Sequence, residues 1–280
     1  MRTVPTEAIT AALRELCITI NHRMGPDMLA ALERAHAAEE SAIGRTVLAR
    51  LLENARVARE EWFPICQDTG TAVVFLDVGQ DVHLTGGDVQ AAIDEGVRQG
   101  YRDGYLRASV VRAPLHRENT GDNTPAIVYT RIVPGDRVTL SMLAKGAGCD
   151  NMSRLAMLTP ADGRGGVIEF VTRAIAEAGP NPSPPLIVGV GCGGTFELAA
   201  LLAKRALLRE VGAPSPEADA AALEAELLRR INDLGIGPGG FGGRVTALAV
   251  HVEQHPTHIA SLPVAVNLDC HSHRAGRTIL

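Results

Sequence analysis

The hydrophobic period of this chain changes at one short stretch, Phe63-Pro64-Ile65-Cys66-Gln67-Asp68-Thr69-Gly70, and that change limits what the chain can fold into. Ahead of it, Ala12, Leu13, Leu16, Cys17 and Ile20 recur at helical spacing and predict a helix over 6–20. A second helix is predicted over 26–38, with Pro26 in its first turn, where a missing N–H is not needed. A third is predicted over 41–62, with Ser41 as the N-cap whose oxygen can accept a first-turn N–H. Behind the stretch, Thr71-Ala72-Val73-Val74-Phe75-Leu76-Asp77-Val78 is a nearly continuous apolar run closed by Gly79, which reads as a strand. The chain is therefore helical over about 1–62 and mixed beyond.

The period keeps alternating. A helix is predicted over 88–104, ending on glycine. Strands follow around 108–112, 126–132 and 137–143, separated by a polar loop over 117–125 and the turn Pro134-Gly135-Asp136. Helices are predicted over 165–177, 195–209 and 216–234. An extended proline-rich segment is predicted over 180–185, a buried strand over 186–190, and strands over 245–252 and 262–268 after a glycine-rich turn at 235–243. Helices and strands mix without a clean alternating pattern, so the expectation is a mixed α/β class in one domain spanning 1–280.

Composition excludes several functions. With a net charge of −5, no basic run and nine aromatic side chains, the chain lacks the means to bind nucleic acid. No run approaches the ~18 apolar residues of a membrane span, and the N-terminus has no apolar signal core, so a cytoplasmic protein is expected. Five cysteines, an odd number in a long chain, do not form a disulfide framework. Reduced thiols for metal binding or catalysis are the better expectation.

Three of those thiols stand in polar or glycine-rich settings. Cys66 is flanked by an amide, a carboxylate and a hydroxyl. Cys192 lies in Gly191-Cys192-Gly193-Gly194, and Cys270 in Asp269-Cys270-His271-Ser272-His273. Residues 189–194 satisfy G-x-G-x-x-G between a strand and a helix, but no second strand with an acidic residue follows at the right distance. What remains is close backbone approach and a helix N-terminus that attracts an anion. Cys270, His271 and His273 are suitable zinc ligands, without a clear fourth partner. His251, His255 and His258 read as strand-end histidines. Cys17 reads as core, and Cys149, in a loop before a helix, as a packing residue or a functional thiol.

Taken in order along the chain, these stretches resemble the α subunit of the two-subunit class I (iron–sulfur) fumarate hydratases and L-tartrate dehydratases. The resemblance is carried by Cys66-Gln67-Asp68-Thr69-Gly70, Leu106-Arg107, Asn119-Thr120-Gly121-Asp122-Asn123, Lys145-Gly146-Ala147-Gly148 and Pro184-Pro185. It continues through Val188-Gly189-Val190-Gly191, Gly193-Gly194-Thr195, Gly235-Ile236-Gly237-Pro238 and Pro263-Val264-Ala265-Val266 before Cys270. It implies a fumarase α-type fold and a [4Fe–4S] cluster held by three cysteines, whose open iron acts as a Lewis acid on the substrate. By motif, Cys66 and Cys270 are two ligands. The family's third cysteine stands immediately before the Pro-Pro pair, where this chain has Ser183. Cys192 or Cys149 as the third ligand, an oxygen ligand from Ser183, and a weak or absent cluster are the outcomes left open. Cys192 is the favoured ligand because its glycine neighbours let the backbone come close.

The resemblance also implies that Gln67 and Asp68 contact a dicarboxylate, that Arg107 clamps one carboxylate, and that Gly148 offers a backbone N–H, next to Ala147 where the family has glycine. It implies that His258 handles a proton with Asp68 as its partner. The remaining catalytic groups of the family lie on a β subunit, so an α2β2 assembly is expected. The implied activity is reversible dehydration of a small 2-hydroxy dicarboxylate. Fumarate/malate is the first choice, because Gly193-Gly194-Thr195 is similar to the fumarase version, and tartrate is the second. The alternative is a non-catalytic, cluster-deficient homologue acting as a dimeric binding or regulatory protein.

Overall fold

The computed structural model describes residues 2–280. In chain order its elements begin with β1 (Arg2–Pro5), α1 (Thr6–His22), α2 (Pro26–Ala38), α3 (Ala42–Glu60), β2 (Thr71–Gly79), β3 (Val82–Thr85) and α4 (Val89–Asp103). There follow β4 (Ile127–Val133), β5 (Val138–Lys145), the single turn α5 (Ala147–Asp150), β6 (Arg154–Leu158), α6 (Gly163–Ala178) and β7 (Leu186–Gly193). The last are α7 (Phe196–Ala206), α8 (Ala218–Asn232), a 3-10 turn (Pro238–Gly240), β8 (Ala247–His255), β9 (Leu262–Asp269) and β10 (Ala275–Ile279). Among the described residues, no helix is long and apolar enough to cross a membrane.

The chain packs as two compact units. One comprises Met1–Gly25, Ala55–Ala147 and Arg274–Leu280, and the other Pro26–Asn54 and Gly148–His273. Each is stitched from separated segments, so the sequence, read as one domain over 1–280, carries no linker that would mark a boundary.

In the first unit, β10, β5, β2 and β4 form one sheet in that order. β2 is parallel to β4 and antiparallel to β5, and β10 is antiparallel to β5. Val138, Leu140 and Met142 of β5 point one way at the two-residue period of a strand and pack with Ile9, Leu13 and Cys17 of α1 and Ile93 and Val97 of α4. Cys17 lies 3.6 Å from the Met142 sulfur, and burial pushes its thiol up to about 12, which makes it a core residue.

In the second unit the sheet order is β6-β9-β7-β8, with β7 parallel to β8 and antiparallel to β9, and β9 antiparallel to β6. Val188, Val190 and Cys192 of β7 face a core shared with α6 and α8. The alternate residues, Gly189 and Gly191, face α7. A Cβ on either would stand 2.1 Å from a helix carbonyl, of Ala203 and Ala199 respectively. The G-x-G-x-x-G signal is therefore explained by strand–helix contact. The acidic Glu197 lies in the first turn of α7 with its carboxylate 2.6 Å from the Thr195 hydroxyl, so that helix start already has an anion.

Ser41 is the N-cap predicted, its hydroxyl accepting the Gly44 N–H at 3.2 Å, and Asp88 caps α4 through the Ala91 N–H at 2.7 Å. Two expectations are corrected. The strand predicted over 108–112 reduces to one bridge between Val111 and Asn119. The segment over 180–185 turns instead of extending, with Ser183 at a φ of 59°. The short strands β1, β3, β6 and β10 were not predicted, because four or five residues carry too little period to stand out.

Candidate functional site

The Cys66 motif is a loop of the first unit held mainly through its backbone. The Ile65 N–H donates to the Asn21 carbonyl at 2.8 Å and the Ile65 side chain is buried, which fixes the entry to the loop. At its exit, Gly70 has a φ of 77°, and a Cβ there would stand 2.8 Å from the backbone of Ala144 and Lys145, so only glycine fits. The Tyr101 hydroxyl lies 2.7 Å from the Thr69 carbonyl and 2.9 Å from that of Gly70. Asn123 donates to the same Gly70 carbonyl at 3.0 Å while its own carbonyl accepts the Ser109 N–H at 2.7 Å. The Arg274 guanidinium donates to the Asp68 carbonyl.

On this frame the side chains differ in freedom. Both oxygens of Asp68 accept backbone N–H groups, from Gly70 at 3.1 Å and from Ala147 at 2.9 Å, so its orientation is fixed. Cys66 is half-buried and 3.6 Å from the Gln67 amide oxygen, while Gln67 itself is exposed. Arg107 is exposed, and its backbone carbonyl accepts from the Thr69 hydroxyl at 2.8 Å, which ties it to the same loop. Cys66, Gln67, Asp68 and Arg107 thus share one local scaffold.

The second unit holds the other thiols, and it does not group them as the sequence suggested. Cys149, Asp269 and Cys270 converge, with their ligating atoms within 4.8 Å of one another. The Cys149 sulfur lies 3.2 Å from Asp269 Oδ1, and the second Asp269 oxygen faces His273 Nδ1 at 2.6 Å in a buried pair. Hydrogen bonding from Cys149 outweighs burial and brings the Cys270 thiol down to about 5. The Ser272 hydroxyl, 3.0 Å from Cys270, acts in the same direction. Two thiols and a carboxylate, with one thiol's acidity raised by its hydrogen-bonding neighbours, are a donor set of the kind that binds metal and fits thiolate ligation of an iron–sulfur group.

Cys192 stands elsewhere. In the antiparallel pairing of β7 with β9 it lies opposite Val264, six residues before Cys270, roughly 20 Å along an extended strand. One cluster cannot span that separation, so Cys192 and Cys270 are not ligands of the same centre. Burial pushes the Cys192 thiol up to about 12. It lines a cavity of about 610 Å³ together with Gln254, Thr257, His258 and Leu262. His258 is exposed in the loop between β8 and β9, its Nδ1 accepting the Ala260 N–H at 3.1 Å. Gly148 lies exposed in the turn of α5, and a Cβ there would meet nothing within 4 Å. Ser183 is exposed, but its carbonyl accepts from His271, whose Nδ1 is 3.1 Å away, so position 183 borders the Cys270 turn. His271 faces the Ser183 carbonyl and His273 the Asp269 carboxylate. Among the described residues, the ligand atoms that gather at Cys270 are those of Cys149 and Asp269 and of neither histidine.

Sequence reading missed Asp269 as a neighbour of the thiols, read His273 as a suitable zinc ligand and not as the partner of Asp269, and left Cys149 undecided. The only signal was the run Asp269-Cys270-His271-Ser272-His273, which does not tell which of its side chains point together. The outcome is a mixed α/β chain with a thiol–carboxylate set of the kind that binds metal. Compared with known proteins, it matches the Fumarate hydratase (Fumerase) family over residues 10–278 and belongs to that family. It is 42% identical over 256 residues to the "Putative L(+)-tartrate dehydratase subunit alpha" of Methanocaldococcus jannaschii, covering 89% of each chain. It is 32% identical over 276 residues to the L(+)-tartrate dehydratase subunit alpha of Escherichia coli K12, covering 97% of this chain and 90% of that one. The chain is accordingly of the hydro-lyase α-subunit type.

Proposed function

We propose that this chain is the α subunit of an iron–sulfur hydro-lyase that reversibly removes water from a small 2-hydroxy dicarboxylate and works with a separate β subunit in an α2β2 assembly. The observation that carries the chemistry is the convergence of Cys149, Asp269 and Cys270, with Cys270 already favouring the thiolate. Cys270 and, on the motif it stands in, Cys66 are proposed as thiolate ligands of a [4Fe–4S] cluster. When bound, the cluster supplies a Lewis-acidic iron for the substrate's hydroxyl group.

The remaining roles belong to the chain's own groups. Gln67 offers an amide to a substrate carboxylate, and Asp68 a carboxylate whose orientation two backbone N–H groups set. Arg107 presents a planar fork to a carboxylate, a task for which guanidinium geometry is suited. Gly148, with open space around its Cα, lets a substrate approach its backbone N–H. His258 is assigned the proton transfer, work that an imidazole's two nitrogens, one donating and one accepting, can do. In the reaction the C–O bond of the hydroxyl breaks, the neighbouring carbon gives up a proton, and water leaves. Five free thiols suit a reducing cytoplasm.

The names of the relatives support L(+)-tartrate as the first substrate to test, ahead of the malate that Gly193-Gly194-Thr195 suggested. The non-catalytic alternative gains no support from them. The test is to co-produce the chain with its β partner, load it anaerobically with iron and sulfide, and follow oxaloacetate from L(+)-tartrate and fumarate from malate. Turnover of either supports the reading. An iron-loaded complex that turns over neither overturns it.

A further inference from the structure

We infer that Cys149 is the thiolate that completes the iron-binding set, in the place that position 183 would otherwise fill; this rests on the hydro-lyase reading above. Two elements that are distant in sequence bring Cys149 and Cys270 together. Cys149 sits in the turn of α5, and Cys270 directly follows β9. The turn is pinned by the next residue: Asp150 accepts from Asn267 of β9 at 2.9 Å and from Lys204 of α7 at 2.9 Å. Ser153, at the end of the same loop, accepts from Asn267 at 3.0 Å. Cys149 is thereby held against the end of β9, fully inside the protein, and not by chance of a flexible loop.

Cys149 belongs to the buried core of the second unit, yet it also has polar company there. The Cys149 sulfur stands 3.2 Å from Asp269 Oδ1, and its ligating atom lies within 4.8 Å of those of Asp269 and Cys270. The competing donors are weaker candidates. Ser183 carries a hard oxygen on an exposed side chain, and its contact with the Cys270 turn runs through its backbone carbonyl. Cys192 lies at the far end of β7 from Cys270. Cys17 is enclosed in the core of the first unit. Among the described residues, Cys149 is the thiol that reaches the Cys270 sulfur.

The experiment uses the full chain, purified without oxygen and loaded with ferrous iron and sulfide. Iron and sulfide per chain and the sulfur-to-iron charge-transfer absorbance are measured for the wild type, C149A, C149S, S183A and C192A, with melting temperature and far-UV circular dichroism as fold controls. C149A and the near-isosteric C149S should each lose iron affinity by about tenfold or more, while S183A and C192A match the wild type. If C149A and C149S hold iron as the wild type does, the assignment of Cys149 is wrong while the hydro-lyase reading stands. Loss of iron in S183A, with C149A unaffected, moves the ligand to Ser183 and also overturns it. A wild-type chain that takes up no iron sinks the iron–sulfur reading itself.

Discussion

The carbonyl of Gly70, at the exit of the Cys66 loop, is buried and held by two side chains, and that shared acceptor makes a sharp prediction. Tyr101→Phe removes the hydroxyl that reaches the carbonyls of Thr69 and Gly70, at a cost of about 1.5 kcal/mol. Asn123→Ala removes one bond to Gly70 and one from Ser109, about 1 kcal/mol each. It also places alanine at a φ of 62°, which adds about 1 more. Each single change leaves the Gly70 carbonyl one donor. The double change leaves it neither, so it should cost more than the sum of the two by about 1–2 kcal/mol, the penalty of an unsatisfied buried carbonyl.

The assay is equilibrium urea unfolding followed by Trp62, the single tryptophan of the chain. Its ring stacks on His22 with centroids 4.7 Å apart, and both residues belong to the unit that carries the loop. Its emission therefore reports the unit being perturbed. A double-mutant cycle additive within about 0.3 kcal/mol would refute the reasoning, because the two donors would then not be sharing one acceptor.

Other outcomes follow from the second unit. Gly191→Ala should destabilise the fold by several kcal/mol, on the order of ~3 or more, since its Cβ meets the Ala199 carbonyl at 2.1 Å, and an unchanged melting temperature would contradict the tight β7–α7 contact. Glu39, 2% exposed, accepts backbone N–H groups from Ser41, Arg244 and Val245, so Glu39→Ala should cost about 3–4 kcal/mol in urea unfolding followed by circular dichroism. Burial raises the Glu39 carboxyl, but those N–H groups outweigh it and hold it below its ordinary value. Its contribution is therefore present above the unfolded carboxylate range and fades as pH falls below it. Burial, then the nearby Arg209, lowers His251 to about 4, so stability should be full above ~6.5 and fall on the order of 3 kcal/mol as pH drops toward 4. Replacing His251 by Gln should flatten that slope. In the native protein at pH 8, an alkylating reagent should leave Cys17 and Cys192 unlabelled, because burial holds both thiols near 12, and urea should expose them; rapid native labelling of either refutes the placement.

Where a segment was long and strongly periodic, the sequence was enough. The helix predicted over 26–38 is α2, residue for residue, because Pro26 opens it and its apolar residues Met28, Ala31, Leu32 and Ala35 keep one face. The strand from Thr71 ends on Gly79 as expected, since apolar residues at both parities mark burial on two faces. The misses have physical causes too. Val110 and Val111 carry strand propensity, but the neighbouring loop folds back on them through Asn119, whose side chain bonds the Ala108 carbonyl and the Gly121 N–H. Ser183 adopts a left-handed φ that its residue type does not announce.

The site divides along the same line, between what a motif carries locally and what only pairing decides. The loop from Cys66 to Gly70 was legible because its chemistry is contiguous, and Gln67, Asp68 and Arg107 lie on one scaffold. The third thiol was not. Glycine neighbours recommended Cys192, and by chain order it lies only nine residues past Ser183, which borders Cys270. That proximity is reversed by topology. β7 runs antiparallel to β9, so every residue gained along β7 after Ile187, which pairs with Asp269, moves further from Cys270. Cys192 ends at the opposite end of the sheet. Cys149, 121 residues before Cys270 in sequence, arrives beside it because Asn267 on β9 fixes Asp150 and Ser153 of its own loop. A single sequence holds no trace of that register, and only the pairing of β9 with β7 and the anchoring of the α5 loop show which thiol stands beside Cys270.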